Sequence, residues 1–172
     1  MGAASRMVDG ICGWRFWQDG SVVAREFYAD DLYCCEIGPG ISTTTGLIVK
    51  LDEDADGTFE TTLTITTDFV LWPLNAADDV PVRPYTEIRL VDNYAFPLHA
   101  TGRPGVQVTA KFGWPAVPDD VKRATLIIAQ DLWKAKDAAF GYAGANEFGS
   151  LRAKTNSIAL SLLSPYQKPR YG

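Results

Sequence analysis

No stretch of this sequence is apolar for more than four residues; the longest runs are Leu32-Tyr33-Cys34-Cys35, Phe69-Val70-Leu71-Trp72 and Leu126-Ile127-Ile128-Ala129. A membrane span needs about 20 apolar residues, so none is expected. No apolar stretch follows Arg6 within the first ten residues, so a secretory leader is not expected either. Cysteine occurs three times, at Cys12 and the adjacent Cys34 and Cys35. An odd count without a leader fits a reducing, intracellular compartment and offers no disulfide framework. There is no C-x-x-C, and His99 is the single histidine, so a Cys/His zinc site lacks partners. Cys34 and Cys35 sit in a strand-like run, where packing is their expected role.

Catalytic signatures are missing as well. The sequence has no G-x-S-x-G, S-x-x-K, H-E-x-x-H or phosphate-cradling G-x-x-x-x-G-K-[ST]. Gly38-Pro39-Gly40 lacks the third glycine and the following helix of a dinucleotide fingerprint. A histidine-based nucleophile would have to recruit His99 from the turn-like Phe96-Pro97-Leu98-His99-Ala100. A structural or interaction role suits that residue better, and the chain is not expected to be an enzyme.

What is present suits a single domain with a turn-rich β component: 172 residues, 47% of them hydrophobic and 12% aromatic, with 15 Gly and 10 Pro. The net charge of −5 is unevenly spread. Residues 1–100 carry 16 acidic and 6 basic side chains, whereas 101–172 carry 5 and 10. Mild overall acidity argues against simple nucleic-acid binding. The polarity suits head-to-tail association of identical subunits or an acidic partner for the C-terminal part; two separately solvated faces would account for it equally well.

The pattern predicts a helix over 3–11, a turn at Gln18-Asp19-Gly20, and strands over 22–28, 32–37, 46–51, 58–66, 86–91 and 106–112. In 58–66, Phe59, Leu63 and Ile65 share one parity. In 106–112, Val106, Val108, Ala110 and Phe112 do so. Both read as half-buried antiparallel strands. Residues 75–84, rich in Pro, Asp and Ala, read as an exposed loop. Pro118 with Asp119 and Asp120 predicts the start of a helix over 119–139. Its apolar stripe is Val121, Ala124, Ile128, Leu132 and Ala135, with Trp133 off the centre, and Gly141 and Gly144 end it. A shorter helix is expected over 157–163. The segment 164–172 holds two prolines, two tyrosines and two basic residues. It reads as having little to pack with by itself, and so as either a free tail or an arm that orders on a partner, its aromatic content favouring the arm. The layout is therefore α+β: helix and turn (1–20), β-rich part (21–113), helical part (114–163) and arm (164–172).

The sharpest local motif is Asp52-Glu53-Asp54-Ala55-Asp56-Gly57-Thr58-Phe59-Glu60. Asp52, Asp54 and Asp56, the Thr58 carbonyl and Glu60 match the first part of a calcium loop, because alternate carboxylates on a tight turn converge on one point. Position 12 of an EF-hand would be Leu63, and strands flank the loop, so this is no EF-hand. Two readings stay open: a calcium loop at a hairpin tip, or an acidic turn shaped by Asp-Gly alone.

Several stretches together resemble one family. They are Ser42-Thr-Thr-Thr-Gly-Leu-Ile-Val, the acidic loop, Pro84-Tyr85-Thr86-Glu87-Ile88, then 106–126 with Phe112-Gly113-Trp114-Pro115-Ala116-Val117-Pro118, and Phe140-Gly141-Tyr142-Ala143-Gly144. The chain resembles, over about residues 8–163, the head-to-tail connector (adaptor) proteins of long-tailed, siphovirus-type bacteriophages, especially those infecting actinobacteria. The resemblance implies a small helical bundle with an embedded antiparallel β-domain. It implies a structural virion protein, assembled in the host cytoplasm, that forms a ring of typically twelve subunits around the DNA channel. Implied partners are further copies of the chain, the portal protein, a downstream connector, stopper or tail protein, and packaged DNA by non-specific contact; no membrane and no required cofactor are implied. Family members begin with a longer N-terminal helix than this sequence has before Cys12-Gly13. In that frame the arm residues Pro165, Tyr166, Lys168, Arg170 and Tyr171 are candidates for portal docking. Lys122, Arg123, Trp133, Lys134 and Lys136 are candidates for intersubunit or channel contacts, or else belong to a solvated helix face. Competing readings are a calcium-dependent β-rich binding module using the acidic loop, and an enzyme with a carboxylate pair.

Overall fold

The computed structural model describes residues 2–91, 94–100, 102–140 and 156–168, with 135–140 described by backbone alone. The chain forms two compact units. One combines residues 1–15 with 117–172, and the other is the contiguous stretch 16–116. The first is helical and carries 10 basic and 6 acidic side chains; the second holds the sheet and carries 6 and 15. The charge polarity of the sequence thus divides between folding units, +4 against −9.

In the helical unit, α1 (Gly2–Cys12) buries Ala4, Val8 and Cys12, spaced four apart on one face. Gly13 ends it: at a φ of 70° its N–H donates to the Asp9 carbonyl at 2.8 Å, a conformation that glycine adopts without Cβ strain. The long helix α2 (Asp119–Phe140) begins where the sequence predicts, the Pro118 carbonyl accepting the Lys122 N–H at 3.0 Å. Val121, Ala124 and Ile128 form its buried stripe. Leu132, expected to extend that stripe, is 37% exposed. The partners of α2 are shorter than its 22 residues: α1 has 11, and α3 (Ser157–Leu163) has 7. Asn156 caps α3 by accepting the Ile158 N–H at 3.0 Å, and its amide donates to Asp131 on α2. The expected helix end at Gly141 and Gly144 lies outside the described residues.

The sheet unit has six strands: β1 (Val23–Phe27), β2 (Cys34–Leu51), β3 (Thr61–Leu63), β4 (Phe69–Trp72), β5 (Tyr85–Leu90) and β6 (Val106–Phe112). They pair antiparallel in the order β1-β6-β2-β5-β4, with β3 also on β2. In β6 the expected alternation holds along its whole length: Val106, Val108, Ala110 and Phe112 are buried and the residues between them half-buried. Each such buried side chain contributes roughly 1.5–3 kcal/mol for the larger residues, less for alanine.

Three expectations need correction. The strands predicted over 32–37 and 46–51 are one strand of 18 residues, and Gly38-Pro39-Gly40 is a bulge within it. Its register shifts let the first part of β2 pair with β5 and the last part with β6. At Gly40, with φ 75°, a Cβ would lie 2.7 Å from the Pro84 ring, so the bulge needs glycine. The strand predicted over 58–66 shrinks to three residues, and Ile65 is 37% exposed rather than inward. Finally, β4 was not anticipated. Its Phe69 and Leu71 are buried, yet four apolar residues in a row carry no alternation to mark them.

Candidate interaction surfaces

The acidic loop, residues 52–60, joins β2 to β3, with Leu51 paired to Thr61 where it closes. Asp52 is fully buried, and its two carboxylate oxygens accept from the Ala55 N–H at 2.8 Å and the Gly57 N–H at 3.0 Å. These bonds fold the loop back on its first residue, with Ala55 and Gly57 both at positive φ. Carboxylate oxygens of Asp52, Asp54 and Glu60 come within 4.8 Å of one another, Asp54 and Glu60 being exposed. Asp56 stands apart from that group. Its carboxylate accepts the Thr58 N–H at 2.6 Å, and that bond, helped by the Thr58 hydroxyl and by nearby Arg103, holds it below the usual carboxylate range. A Cβ on Gly57 would meet the Arg103 guanidinium at 2.9 Å, so a fixed cation already borders the loop.

His99 is half-buried, and its Nε2 lies 2.7 Å from the Asp52 carbonyl oxygen. A carbonyl only accepts, so this nitrogen carries the proton and the ring braces the loop from outside. The Asp52 N–H donates to Gly105, closing the base of the loop. The structure thus places His99 in a bracing role.

The cysteines pack as the strand reading expects. Cys35 is fully buried and Cys34 half-buried on β2; Cys12 is buried on α1. Burial, with nearby Asp9, pushes the Cys12 thiol up to about 11. Burial and then Glu87, whose carboxylate accepts the Cys34 S–H at 3.6 Å, take Cys34 to about 11 as well. Burial and Asp30 lead the causes that push Cys35 to about 12. All three are inert thiols at neutral pH.

The C-terminal segment corrects the expectation that it has little of its own to pack with. Ser164–Tyr166 continues directly from α3 as a single 3-10 turn, with Pro165 in its first positions where a missing N–H costs nothing. Tyr166 is 5% exposed, and its hydroxyl lies 3.4 Å from an Asp120 carboxylate oxygen on α2. The Lys168 ammonium lies over the Trp14 ring. Pro165 is exposed, whereas Arg170 and Tyr171 lie outside the described residues.

On α2, Lys122 pairs with Asp119 at 2.8 Å. Arg123 and Lys134 are exposed, and Trp133 is 64% exposed. The Lys136 side chain lies outside the described residues. Leu126, seven residues before Trp133 and hence on the same helix face, is also exposed. The loop between β4 and β5 is a further surface that reading by composition passed over as a plain connection. It closes on buried Ala76, whose carbonyl accepts the Arg83 N–H at 3.0 Å, and it leaves Leu74, Val80 and Val82 exposed.

Among the described residues no helix is long and apolar enough to cross a membrane. No protein-family model matches the sequence, and no match is found among curated proteins. Solved structures do share the fold. One is the neck of a native gene transfer agent (GTA) particle, computed with C12 symmetry. It superposes with a TM-score of 0.58 at 18% identity, over 99% of this chain and 81% of that one. Another is the neck of an empty GTA particle, computed with C6 symmetry, with a TM-score of 0.54 at 17% identity over 99% and 77%. At such identities the likeness establishes the fold: an antiparallel sheet unit and a helical unit.

Proposed function

We propose that this chain is a structural neck protein of a phage-like particle, a head-to-tail connector without catalytic activity. The observation that carries this reading is the match of 99% of the chain to a component of a particle neck. The sequence resemblance points to the same class.

In the finer form of the proposal the chain forms a ring, of twelve subunits by analogy with the C12 neck, between the portal and the next connector, stopper or tail component. Closed rings arise from heterologous contacts that repeat around an axis. The −9 balance of the sheet unit suits a surface past which DNA slides, because repulsion keeps the duplex from sticking. Exposed Arg123 and Lys134 would supply non-specific contacts to packaged DNA or to neighbours. Docking on the portal is assigned to Pro165 and the residues after Lys168. The neck neighbours support a location in the particle, while the long-tailed phage type and an actinobacterial host rest on the sequence resemblance.

The test is the size of the full chain by light scattering, alone and mixed with a portal ring from the same particle. A complex with the portal, and the chain's presence in purified particles, are expected. A chain that stays monomeric with the portal present, and is absent from particles, overturns the proposal.

A calcium-dependent β-rich binding module is the second reading, favoured by the convergence of Asp52, Asp54 and Glu60. Isothermal titration of the full chain decides it: no heat at millimolar calcium removes the ion. Each Asp52 oxygen accepts one N–H and keeps a second lone pair, but Arg103 beside Gly57 weighs against tight binding of a cation.

A further inference from the structure

Two exposed surfaces on this chain have complementary chemistry. On the helical unit, Leu126 (56% exposed) and Trp133 (64%) lie two turns apart on one face of α2. Neither belongs to the buried stripe of Val121, Ala124 and Ile128. Exposed Arg123 and Lys134 flank that face, the Asp119–Lys122 pair lies at its N-terminal end, and the unit as a whole is basic. On the sheet unit, the loop after β4 exposes Leu74 (57%) and Val80 (99%) beside exposed Asp78 and Asp79. Single exposed apolar residues are ordinary; several on one ordered loop, matched by an exposed tryptophan and leucine on one helix face, mark contact surfaces.

The loop is folded rather than slack. Ala76 is fully buried beneath it, its N–H donates to Pro73 at 3.2 Å, and the Asp78 N–H donates to Asn75 at 2.9 Å. Arg83 reaches back to Asp79 at 3.7 Å. A preordered loop loses little entropy on docking. Its apolar tip with two carboxylates fits an apolar helix face with two cations, and both surfaces belong to the same chain.

We infer that the Leu126–Trp133 face of α2 docks on the Val80 loop of a second copy, so that neighbouring subunits join head to tail. This rests on the ring reading and specifies its contact: a basic aromatic helix face from one subunit and an acidic apolar loop from the next. Two different patches meeting in this way form a heterologous contact, the kind that closes a ring. Charge complementarity steers the encounter, and the tryptophan supplies the anchor.

Cysteine-directed cross-linking of the full chain tests it, alone and on the portal ring. The native thiols are buried or half-buried with raised pKa values, so the unmodified chain gives little background. An Ala77→Cys/Gln130→Cys double variant, with both cysteines at exposed positions beside Val80 and Trp133, is treated with a short bismaleimide and is expected to give a ladder of covalent oligomers. An equimolar mixture of the two single variants is expected to stop at dimers, and each single variant alone to stay uncoupled. As a second measurement, Trp133→Ala and Val80→Asp should each weaken self-association by about tenfold or more while leaving the circular dichroism spectrum of the folded chain unchanged. Dimers of the Gln130→Cys variant alone would mean helix faces meeting each other and overturn the inference. Self-association of the unmodified chain with no ladder from the double variant overturns the inference and leaves the ring standing. A chain monomeric throughout, and uncoupled even on the portal, overturns both.

Discussion

The ammonium of Lys168 lies 4.2 Å from the centroid of the Trp14 ring, while the Lys168 N–H donates to the Cys12 carbonyl at 2.9 Å. The C-terminal segment is thereby fastened to the end of the first helix from both its backbone and its side chain. A cation near the carbonyl end of α1 also complements the helix dipole. Tyr166, two residues earlier, is buried, so 164–168 pack as part of the helical unit, while 169–172 lie outside the described residues.

Truncation tests that anchoring. Removing 169–172 is expected to weaken portal pelleting. Removing 164–172, or Tyr166→Ala alone, should cost the helical unit about 3 kcal/mol or more, as loss of a buried aromatic does. Circular dichroism melts at 222 nm check this; equal melting of both truncations would show that Tyr166 contributes nothing.

Gly113 follows β6 with a φ of 103°, and a Cβ there would fall 2.0 Å from the Trp17 carbonyl oxygen. Gly113→Ala is therefore expected to destabilise the sheet unit by about 3 kcal/mol or more, from steric overlap and positive φ together. Urea unfolding followed by tryptophan fluorescence measures it. A change under about 0.5 kcal/mol would mean that the Trp17 backbone yields freely.

Asp52→Ala removes the acceptor for two loop N–H groups and should cost about 1–3 kcal/mol. Asp54→Ala, at an exposed position further along the loop, should stay within about 0.5 kcal/mol. The same urea titration compares them. Equal losses would point to a role for the acidic cluster as a whole rather than for Asp52 as an anchor.

Thiol chemistry gives a pH-dependent prediction. The folded chain holds its cysteines near 11 to 12 against an ordinary 9.0, so folding favours the protonated thiols. Their stabilisation is complete below about pH 9 and is lost as the pH rises through 11 to 12. At pH 8, labelling by a disulfide reagent should run roughly 100-fold slower in the folded chain than in urea, from thiolate fraction alone. Glu87→Gln should speed the reaction at Cys34. Fast native labelling at pH 8 would contradict the burial of these groups.

Where sequence signals were local and redundant, they were readable. Alternation fixed β6 to the residue, Pro118 with two aspartates fixed the start of α2, and the 157–163 helix lies where expected. The longer-range features were not. A bulged strand looks like two strands when glycine and proline interrupt it, because whether the ladder resumes depends on β5 and β6, far along the chain. Pro165 reads as a helix stop, although a 3-10 turn accepts it and carries Tyr166 inward. The acidic motif was legible as converging carboxylates but not as a turn that occupies Asp52 and sets Asp56 apart.

The Gly-Trp-Pro stretch also gains a physical meaning. Gly113 donates its N–H to the Gly40 carbonyl of the β2 bulge at 2.9 Å, and Trp114 is buried with its ring centroid 5.2 Å from that of Phe16. The residues that carry the resemblance are packing residues that close the sheet unit at its own two ends.

Because the sheet unit is one uninterrupted span while the helical unit draws on both ends of the chain, the two cannot mature together on the ribosome. The span 16–116 can finish folding as soon as it clears the exit tunnel. Helix α1 must wait for α2, α3 and the Tyr166 turn, which follow that span in the chain. The Ala4-Val8-Cys12 face of a nascent chain therefore stays uncovered until those later elements emerge, well after the sheet unit has its full sequence.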